Sequence, residues 1–174
     1  PVGTLPYGVS VSPDGSKVYI TNSNTDDVSV INTSTNTVIA TIPVGNNPKG
    51  ITVSPDGLRV YVTNDVTDDV TVINTITNTV ISTIPVGENP LGVALSPDGT
   101  ILYVGNRHDN NLSVINTTTN TLITNIYVGL MPSGIAVSPN GSKVYVAKNF
   151  ADNVSVIDAS SNTVIVNIPV GYSP

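Results

Sequence analysis

One spacing constrains this chain more than any other feature, because a Ser-Pro-Asp-Gly motif returns every 42 residues without an insertion. The four copies begin at Ser12, Ser54, Ser96 and Ser138, and the last copy has Asn140 where the others have Asp. A fixed period of this length is typical of structural repeats that are too small to bury a core alone and are stabilised by their neighbours. The sequence therefore predicts four similar units along the 174 residues.

Each repeat has the pattern of four short β-strands. In the second repeat, residues 50–53 and 59–63 flank the Ser-Pro-Asp-Gly turn, where Pro fixes φ and Gly tolerates a positive φ. Residues 70–73 and 79–84 form two further strand-like segments, and an Asn-rich turn separates them. The apolar residues follow a period of two rather than 3.6, so no helix is expected.

Equivalent apolar residues recur in every repeat and predict a buried core. Burying each such side chain contributes about 1.5–3 kcal/mol to folding. Four antiparallel strands in a repeat of this length match the blade of a β-propeller, and a solenoid of the same meander is the alternative. The predicted core positions are Val30, Val72, Val114 and Val156, then Ile31, Ile73, Ile115 and Ile157, and Tyr19, Tyr61, Tyr103 and Tyr145.

The segment Tyr61-Val62-Thr63-Asn64, with the preceding Ser-Pro-Asp-Gly turn and the following Val-Thr-Val-Ile strand, resembles the YVTN-family β-propeller repeat. The resemblance covers the whole chain, although Ile20, Gly105 and the pair Ala147-Lys148 depart from the family letters. It implies a propeller of the kind found in archaeal and bacterial surface-layer and other secreted proteins, with a looser relation to lactonase-like propellers. The family motif is structural and implies no catalytic residue.

We therefore expect an all-β chain that forms one partial β-propeller domain over residues 1–174. The expected blades are 1–42, 43–84, 85–126 and 127–168, with 169–174 starting a fifth repeat. Three arrangements are open: an excerpt of a ring of seven or eight blades, two copies completing an eight-bladed ring, or a closed four-bladed ring. The first two are favoured, because an incomplete arc exposes two apolar blade faces that need cover.

The charge balance excludes several classes of partner. Six Lys and Arg residues against twelve Asp and Glu residues give a net charge of −6, which would repel nucleic acid and anionic membranes. No apolar run approaches the roughly 20 residues of a membrane helix. The chain has no cysteine, which removes disulfides and thiolate metal sites. An acidic chain rich in Asn and Thr favours an extracellular or cell-surface location.

The order of the strands predicts which connections share a face of the ring. Because the strands alternate in direction, the two nearly invariant turns of each repeat lie on one face. The loops between second and third strands and the connections between blades lie on the opposite face, and their residues vary between repeats. Repeat proteins usually place binding sites in loops of this kind, whose residues are not fixed by the structure of the repeat. We therefore expect a partner to bind at the variable positions Tyr7, Lys49, Arg107, His108 and Phe150.

Enzymatic chemistry is not predicted. His108 is the single histidine, so a His-rich metal centre cannot form, and a lone histidine on a loop is more often an exposed residue than a general base. No cofactor is expected. Calcium is the one alternative, because carboxylates recur in the second-to-third loops, but turn-forming Asp is the favoured interpretation. The carboxylates concerned are Asp26, Asp27, Asp68, Asp69, Asp109 and Asp152.

These observations predict a non-enzymatic structural or adhesive propeller module, cell-surface or secreted, that binds a partner through its variable loop face. The expected partners are further copies of the chain, through homo-oligomerisation or ring completion, and a cell-surface protein or glycan. One alternative is a lactonase-like hydrolase with catalytic groups around the channel. Another is an excised or engineered fragment that self-assembles into a full ring.

Overall fold

The computed structural model describes all 174 residues, and its regular structure consists of sixteen β-strands. Residues 1–85 contain β1 Pro6–Val11, β2 Lys17–Asn22, β3 Asp27–Asn32, β4 Thr37–Pro43, β5 Pro48–Val53, β6 Arg59–Asn64, β7 Asp69–Asn74 and β8 Thr79–Pro85. Residues 86–174 contain β9 Pro90–Leu95, β10 Ile101–Asn106, β11 Asn111–Asn116, β12 Thr121–Tyr127, β13 Pro132–Val137, β14 Lys143–Lys148, β15 Asn153–Asp158 and β16 Thr163–Pro169. No helix long and apolar enough to cross a membrane is present.

The strands form four separate four-stranded sheets, in each of which consecutive strands pair antiparallel. We number these sheets blades 1 to 4 in chain order. The all-β prediction is confirmed, and the four sheets are four blades of a partial propeller. The chain divides into two compact units, Pro1–Pro85 with blades 1 and 2 and Val86–Pro174 with blades 3 and 4. The single domain and the blade boundaries given above stay predictions.

The Ser-Pro-Asp-Gly segment forms the turn between the first and second strands, as its residues predict. In blade 1 the Gly15 N–H donates to the Ser12 carbonyl oxygen at 2.8 Å, and the Ser12 N–H donates to the Lys17 carbonyl oxygen at 2.9 Å. Gly15 has a φ of 71°, a conformation that costs other residues free energy. The Ser12 hydroxyl donates to Asp14 Oδ1 at 2.6 Å and so fixes the turn from inside.

The core of the first unit lies between its two blades. Strand register places Tyr19, Val30 and Ile42 on one face of blade 1, where all three are buried. They pack with Val60 and Ile73 from blade 2 in one apolar cluster. The predicted columns are thus largely confirmed, but Ile31 is only half-buried. Its side chain lies on the opposite face of blade 1 from Tyr19, which no other blade of this unit covers.

The second unit repeats this arrangement. Tyr103 and Leu112 from blade 3 pack with Val144 and Ile157 from blade 4, and all four are buried. Tyr145 departs from the predicted column because it is only half-buried. Tyr145 and its cross-strand partner Val156 lie on one face of blade 4, and the packed residues Val144 and Ile157 lie on the other. Tyr145 therefore points away from the cluster.

Glycines in the first strands let neighbouring blades approach closely. A Cβ built on Gly8 would overlap the carbonyl oxygen of Lys49, and one built on Gly92 would overlap the carbonyl oxygen of Ser133. Each glycine therefore permits contact between the backbones of adjacent first strands within its own unit. A larger residue at either position would push the two blades apart.

Candidate functional site

The first strands begin earlier than the sequence indicates, which corrects the location of two predicted binding residues. Tyr7 and Lys49 lie within β1 and β5, not in the connections between blades. Each strand opens with a proline, which lacks a backbone N–H but is tolerated at the first position of an edge strand. A register shift between Pro6 and Val9 separates this proline from the regular ladder.

Variable loops and connections meet at one end of each blade, which we call the loop end. In blade 1 the Ser23 N–H donates to the Leu5 carbonyl oxygen at 3.0 Å, and the Asn24 N–H donates to the Thr4 carbonyl oxygen at 3.2 Å. The same two bonds recur from Asp65 and Val66 in blade 2 and from Arg107 and His108 in blade 3. Each second-to-third loop is therefore held by the connection that enters its own blade.

Carboxylates at the loop ends accept hydrogen bonds from the backbone of the connections, either the one that follows their blade, as for Asp26, or the one that precedes it, as for Asp109. Asp26 Oδ1 accepts from the Asn47 N–H at 2.7 Å, and Asp109 Oδ2 accepts from the Glu88 N–H at 3.0 Å. Asp26 itself has a positive φ of 55°, as expected for a turn residue. No group of three or more His, Asp or Glu side chains is arranged to hold a metal ion. These contacts give the loop carboxylates a structural role.

Tyr7 and Lys49 form a cation–π pair in the first unit. The Lys49 ammonium lies 4.7 Å from the centre of the Tyr7 ring, and 57% of Tyr7 is exposed. Such a contact contributes about 0.5–1 kcal/mol at an exposed site. The Thr21 hydroxyl donates to the Lys49 carbonyl oxygen at 2.8 Å and fixes the backbone beneath the pair. The result is a flat aromatic surface with a positive charge above it.

The three predicted residues of the second unit make different contacts. Arg107 is half-buried, its Nη2 lies 3.7 Å from the Met131 sulfur, and its buried Nε has no hydrogen-bond partner. His108 is exposed, with Nδ1 4.0 Å from Glu88 Oε2. Phe150 is 68% exposed on the next second-to-third loop. The structure thus gives this unit an exposed aromatic ring and an exposed imidazole–carboxylate pair.

Lys148 is an unusual residue that the sequence reasoning treated only as a departure from the repeat. It is 3% exposed and takes the position held by Asn64 in blade 2. Its ammonium donates to the Val128 carbonyl oxygen at 2.8 Å and to Asn167 Oδ1 at 2.9 Å. Burial lowers the pKa of Lys148 below its ordinary value. The sequence did contain a signal for this buried lysine, because the fourth repeat has Lys148 where the other repeats have a buried Asn.

Cavities lie at the opposite end of the blades, beside the Ser-Pro-Asp-Gly turns. One of about 500 Å³ lies between blades 1 and 2, and one of about 430 Å³ lies between blades 3 and 4. Tyr19 lines the first cavity, and its hydroxyl is buried without a hydrogen-bond partner. Burial, and then the nearby Asp14 carboxylate, raise the pKa of Tyr19. These cavities involve none of the five predicted binding residues.

Solved structures similar to this chain include two longer proteins. One is a hydrazine synthase from Kuenenia stuttgartiensis, with 30% identity, a TM-score of 0.90, and coverage of 96% of this chain and 50% of that chain. Another is a functionally unknown protein from Desulfotomaculum acetoxidans DSM 771, with 22% identity, a TM-score of 0.80, and coverage of 91% and 54%. The chain therefore spans about half the length of these solved chains. Comparison with curated protein sequences gives no match.

Two family models match, both of them β-propellers. The lactonase seven-bladed β-propeller model matches residues 77–166, and the YNCE-like β-propeller model matches residues 4–103. Each match covers more than half of the chain and includes at least one complete blade. The repeat pattern, the four antiparallel sheets and these matches lead to the same assignment. The chain belongs to the β-propeller families described as YNCE-like and as seven-bladed lactonase.

Proposed function

We propose that this chain is a non-enzymatic structural or adhesive module of the YVTN surface-layer type, cell-surface or secreted, that binds a partner at its loop ends. The residues that we assign to binding are Tyr7, Lys49, Arg107, His108 and Phe150. One observation carries the proposal: a backbone that is the same from blade to blade presents exposed side chains that differ.

Equivalent loop positions illustrate this contrast. Asn24, Val66 and His108 each donate their backbone N–H to the connection before their blade, at 3.2–3.3 Å. Their side chains are nevertheless polar, aliphatic and imidazole, and Phe150 holds the fourth equivalent position. The backbone therefore places no common demand on these side chains. Their identity is free to serve recognition, as in other repeat proteins whose loops carry the binding surface.

The exposed groups suit a protein or glycan surface. Tyr7 offers a ring face on which a sugar or an apolar side chain can stack, and Lys49 adds a cation for an acidic group beside it. Phe150 supplies a second exposed aromatic ring in the other unit. Aromatic residues of this kind dominate binding energies at protein interfaces. An acidic chain with a net charge of −6 that is rich in Asn and Thr suits an extracellular surface.

Co-sedimentation with isolated prokaryotic cell envelopes tests the proposal. We expect the wild-type chain to sediment with the envelopes, and Tyr7→Ala and Phe150→Ala each to reduce the bound fraction about tenfold or more. Ile76→Ala is the matched control, because Ile76 is 76% exposed but lies at the turn end of blade 2. Equal binding by all four proteins, or no binding by any, would contradict the assignment.

The second candidate function is a lactonase-like hydrolase, which the lactonase match over residues 77–166 favours. This segment contains His108 and Glu88, and the His108 Nδ1 lies 4.0 Å from Glu88 Oε2, which places an imidazole and a carboxylate side by side at the loop end of blade 3. Hydrolysis of γ- and δ-lactones, measured with and without a chelator, separates the two proposals. Turnover by the wild-type chain that His108→Ala abolishes would replace the binding module with the hydrolase.

A further inference from the structure

The connection between blades 3 and 4 departs from the other connections of the chain. Residues 127–131 read Tyr-Val-Gly-Leu-Met, whereas the connections before blades 2 and 3 read Pro-Val-Gly-Asn-Asn and Pro-Val-Gly-Glu-Asn. Gly129 has a φ of 95°, and none of the equivalent glycines has a positive φ. The buried Lys148 ammonium donates to the Val128 carbonyl oxygen at 2.8 Å and so fixes this different backbone. This connection therefore has its own path and its own side chains.

Leu130 of this connection and Phe150 form an apolar pair at the loop end of blade 4. The Asn149 N–H donates to the Met131 carbonyl oxygen at 3.2 Å, which brings the neighbouring residues Leu130 and Phe150 next to each other. Their equivalents in blade 3 are the two members of the imidazole–carboxylate pair, whose side chains lie 4.0 Å apart. Leu130 is 50% exposed and Phe150 is 68% exposed. Two large apolar side chains thus lie together in solvent.

The repeat itself exposes both positions, so their exposure does not depend on cover from a neighbouring blade. Blade 1 packs against blade 2 and blade 3 packs against blade 4, yet the equivalent residues of blades 1 and 3 are exposed. Five of the six equivalents in the other blades are polar, and grouped exposed apolar residues with polar surroundings mark interaction sites. The exposed equivalents are Thr4, Asn46 and Glu88 for Leu130, and Asn24, Val66 and His108 for Phe150.

The Arg107 guanidinium lies beside the apolar pair and lacks a partner of its own. Its Nη2 lies 3.7 Å from the sulfur of Met131, the residue after Leu130, and its buried Nε has no hydrogen-bond partner. A thioether sulfur is a weak acceptor, and no carboxylate forms an ion pair with Arg107. At the equivalent position of blade 1, by contrast, the Ser23 hydroxyl donates to the Pro48 carbonyl oxygen at 2.7 Å. The chain thus leaves guanidinium donors of Arg107 for an acceptor from outside.

The carboxylates of blade 3 at this end are engaged by other groups. Glu88 Oε2 lies 4.0 Å from His108 Nδ1, and Asp109 Oδ2 accepts from the Glu88 N–H at 3.0 Å. Charges farther away than about 8–10 Å are largely screened at physiological salt, so the net charge of −6 does not decide a contact made at Arg107. An acidic group that reaches Arg107 therefore finds a local cation.

We propose that Arg107, Leu130 and Phe150 form a docking site for a polypeptide segment that carries an apolar side chain next to a carboxylate. This inference rests on the proposed function, because it names the class of partner for the loop end of the second unit. The apolar side chain packs on Leu130 and Phe150, and the carboxylate pairs with the planar guanidinium fork of Arg107. Leu130 favours a polypeptide over a glycan, because a sugar packed on an aliphatic side chain would bury hydroxyls without hydrogen bonds.

Selection from a random peptide display library on the immobilised 174-residue chain tests the proposal. We expect the enriched peptides to carry Leu, Ile, Phe or Trp close to Asp or Glu. Each enriched peptide is then synthesised with a fluorescent label, together with a form in which Asn or Gln replaces the acidic residues. Fluorescence anisotropy measures the affinity of both forms, and the amide form should bind the wild-type chain about tenfold more weakly.

Three variants locate the contact. Phe150→Ser and Leu130→Ser should each weaken binding of the acidic peptide about tenfold or more, because they remove the apolar anchor. Arg107→Gln should weaken it to a similar extent and should bind the acidic and amide forms equally, since the coupling between the two charges is lost. This equality is a result that a general loss of structure at the loop end would not produce in a variant that still binds.

Val66→Ser is the matched control, because Val66 is 59% exposed and holds the position of Phe150 in blade 2. Lys143→Gln is the control for charge, since it removes a cation at the start of β14, away from the loop end. Both controls should bind the acidic peptide like the wild type. No enrichment, enriched peptides without acidic residues, unchanged binding by Phe150→Ser, or a preference for the acidic form that persists in Arg107→Gln would each overturn the proposal.

The sedimentation experiment separates this inference from the proposed function. If the chain sediments with cell envelopes through Phe150 but selects no acidic peptide, the binding module stands and this class of partner is rejected. If the peptides bind as expected but the chain does not sediment, the docking site stands and the envelope is rejected as the source of its partner.

Discussion

At the scale of single residues, the Asp14 carboxylate in the Ser-Pro-Asp-Gly turn of blade 1 makes the stability of the fold depend on pH in the acidic range. The hydrogen bond from the Ser12 hydroxyl, followed by those from the Ser16 N–H and hydroxyl, lowers the pKa of Asp14 from 3.8 to about 2. A group whose pKa is lower in the folded state stabilises the fold above its unfolded pKa and loses that contribution as the pH falls. The stability from Asp14 is therefore complete above about pH 4 and lost towards about pH 2.

We expect Asp14→Asn to lower the thermal unfolding midpoint at neutral pH, where the carboxylate contributes its stability, and to flatten the fall in the midpoint over this acidic range. Blade 4 provides the reciprocal experiment, because Asn140 holds the equivalent position and already accepts from the Ser138 hydroxyl at 2.8 Å. Asn140→Asp should steepen the same fall. Identical acid profiles for Asp14→Asn and the wild type would show that the turn carboxylate is not the source.

Lys148 predicts a dependence of the opposite kind at alkaline pH. Its pKa is lowered by burial, so between that value and 10.5 the unfolded chain binds more protons than the folded chain. The free energy of unfolding should therefore rise as the pH increases towards about 10. Lys148→Met keeps the apolar stem without the charge and should remove this rise, as measured by urea unfolding at a series of pH values. Ionisation of Tyr19 and Tyr103 is common to both proteins and cancels in the difference.

At the scale of strands, two glycines with the same place in the repeat should respond oppositely to one methyl group. Gly92→Ala forces a Cβ against the Ser133 carbonyl oxygen and should destabilise the fold by about 1–3 kcal/mol. Gly134→Ala meets only ordinary contact and should leave the monomer within about 1 kcal/mol of the wild type, or slightly more stable. Chemical unfolding of the two variants at low protein concentration measures both values. Equal destabilisation would mean that the first strands do not approach as described.

The strands themselves could be predicted from the sequence because each depends on local rules. Alternating β-branched residues and the Ser-Pro-Asp-Gly turn predicted strands over residues 59–63 and 79–84. The ends of these predicted strands differ by at most one residue from those of β6 and β8. The start of β5 could not be predicted, because Pro48 and Gly50 have the composition of a loop, and a register shift after Pro48 accommodates them. This is the physical reason that Lys49 was expected in a connection rather than in a strand.

At the scale of the whole molecule, the features that could not be predicted from the sequence are those that depend on contacts between distant residues. The repeat predicted which residues form cores, but the half-burial of Ile31 and Tyr145 depends on whether a neighbouring blade covers their faces. At the candidate site, the sequence named Tyr7 and Lys49 separately. Their cation–π contact joins residues from two blades and requires the close approach that Gly8 allows. Whether these five residues bind a partner stays a prediction.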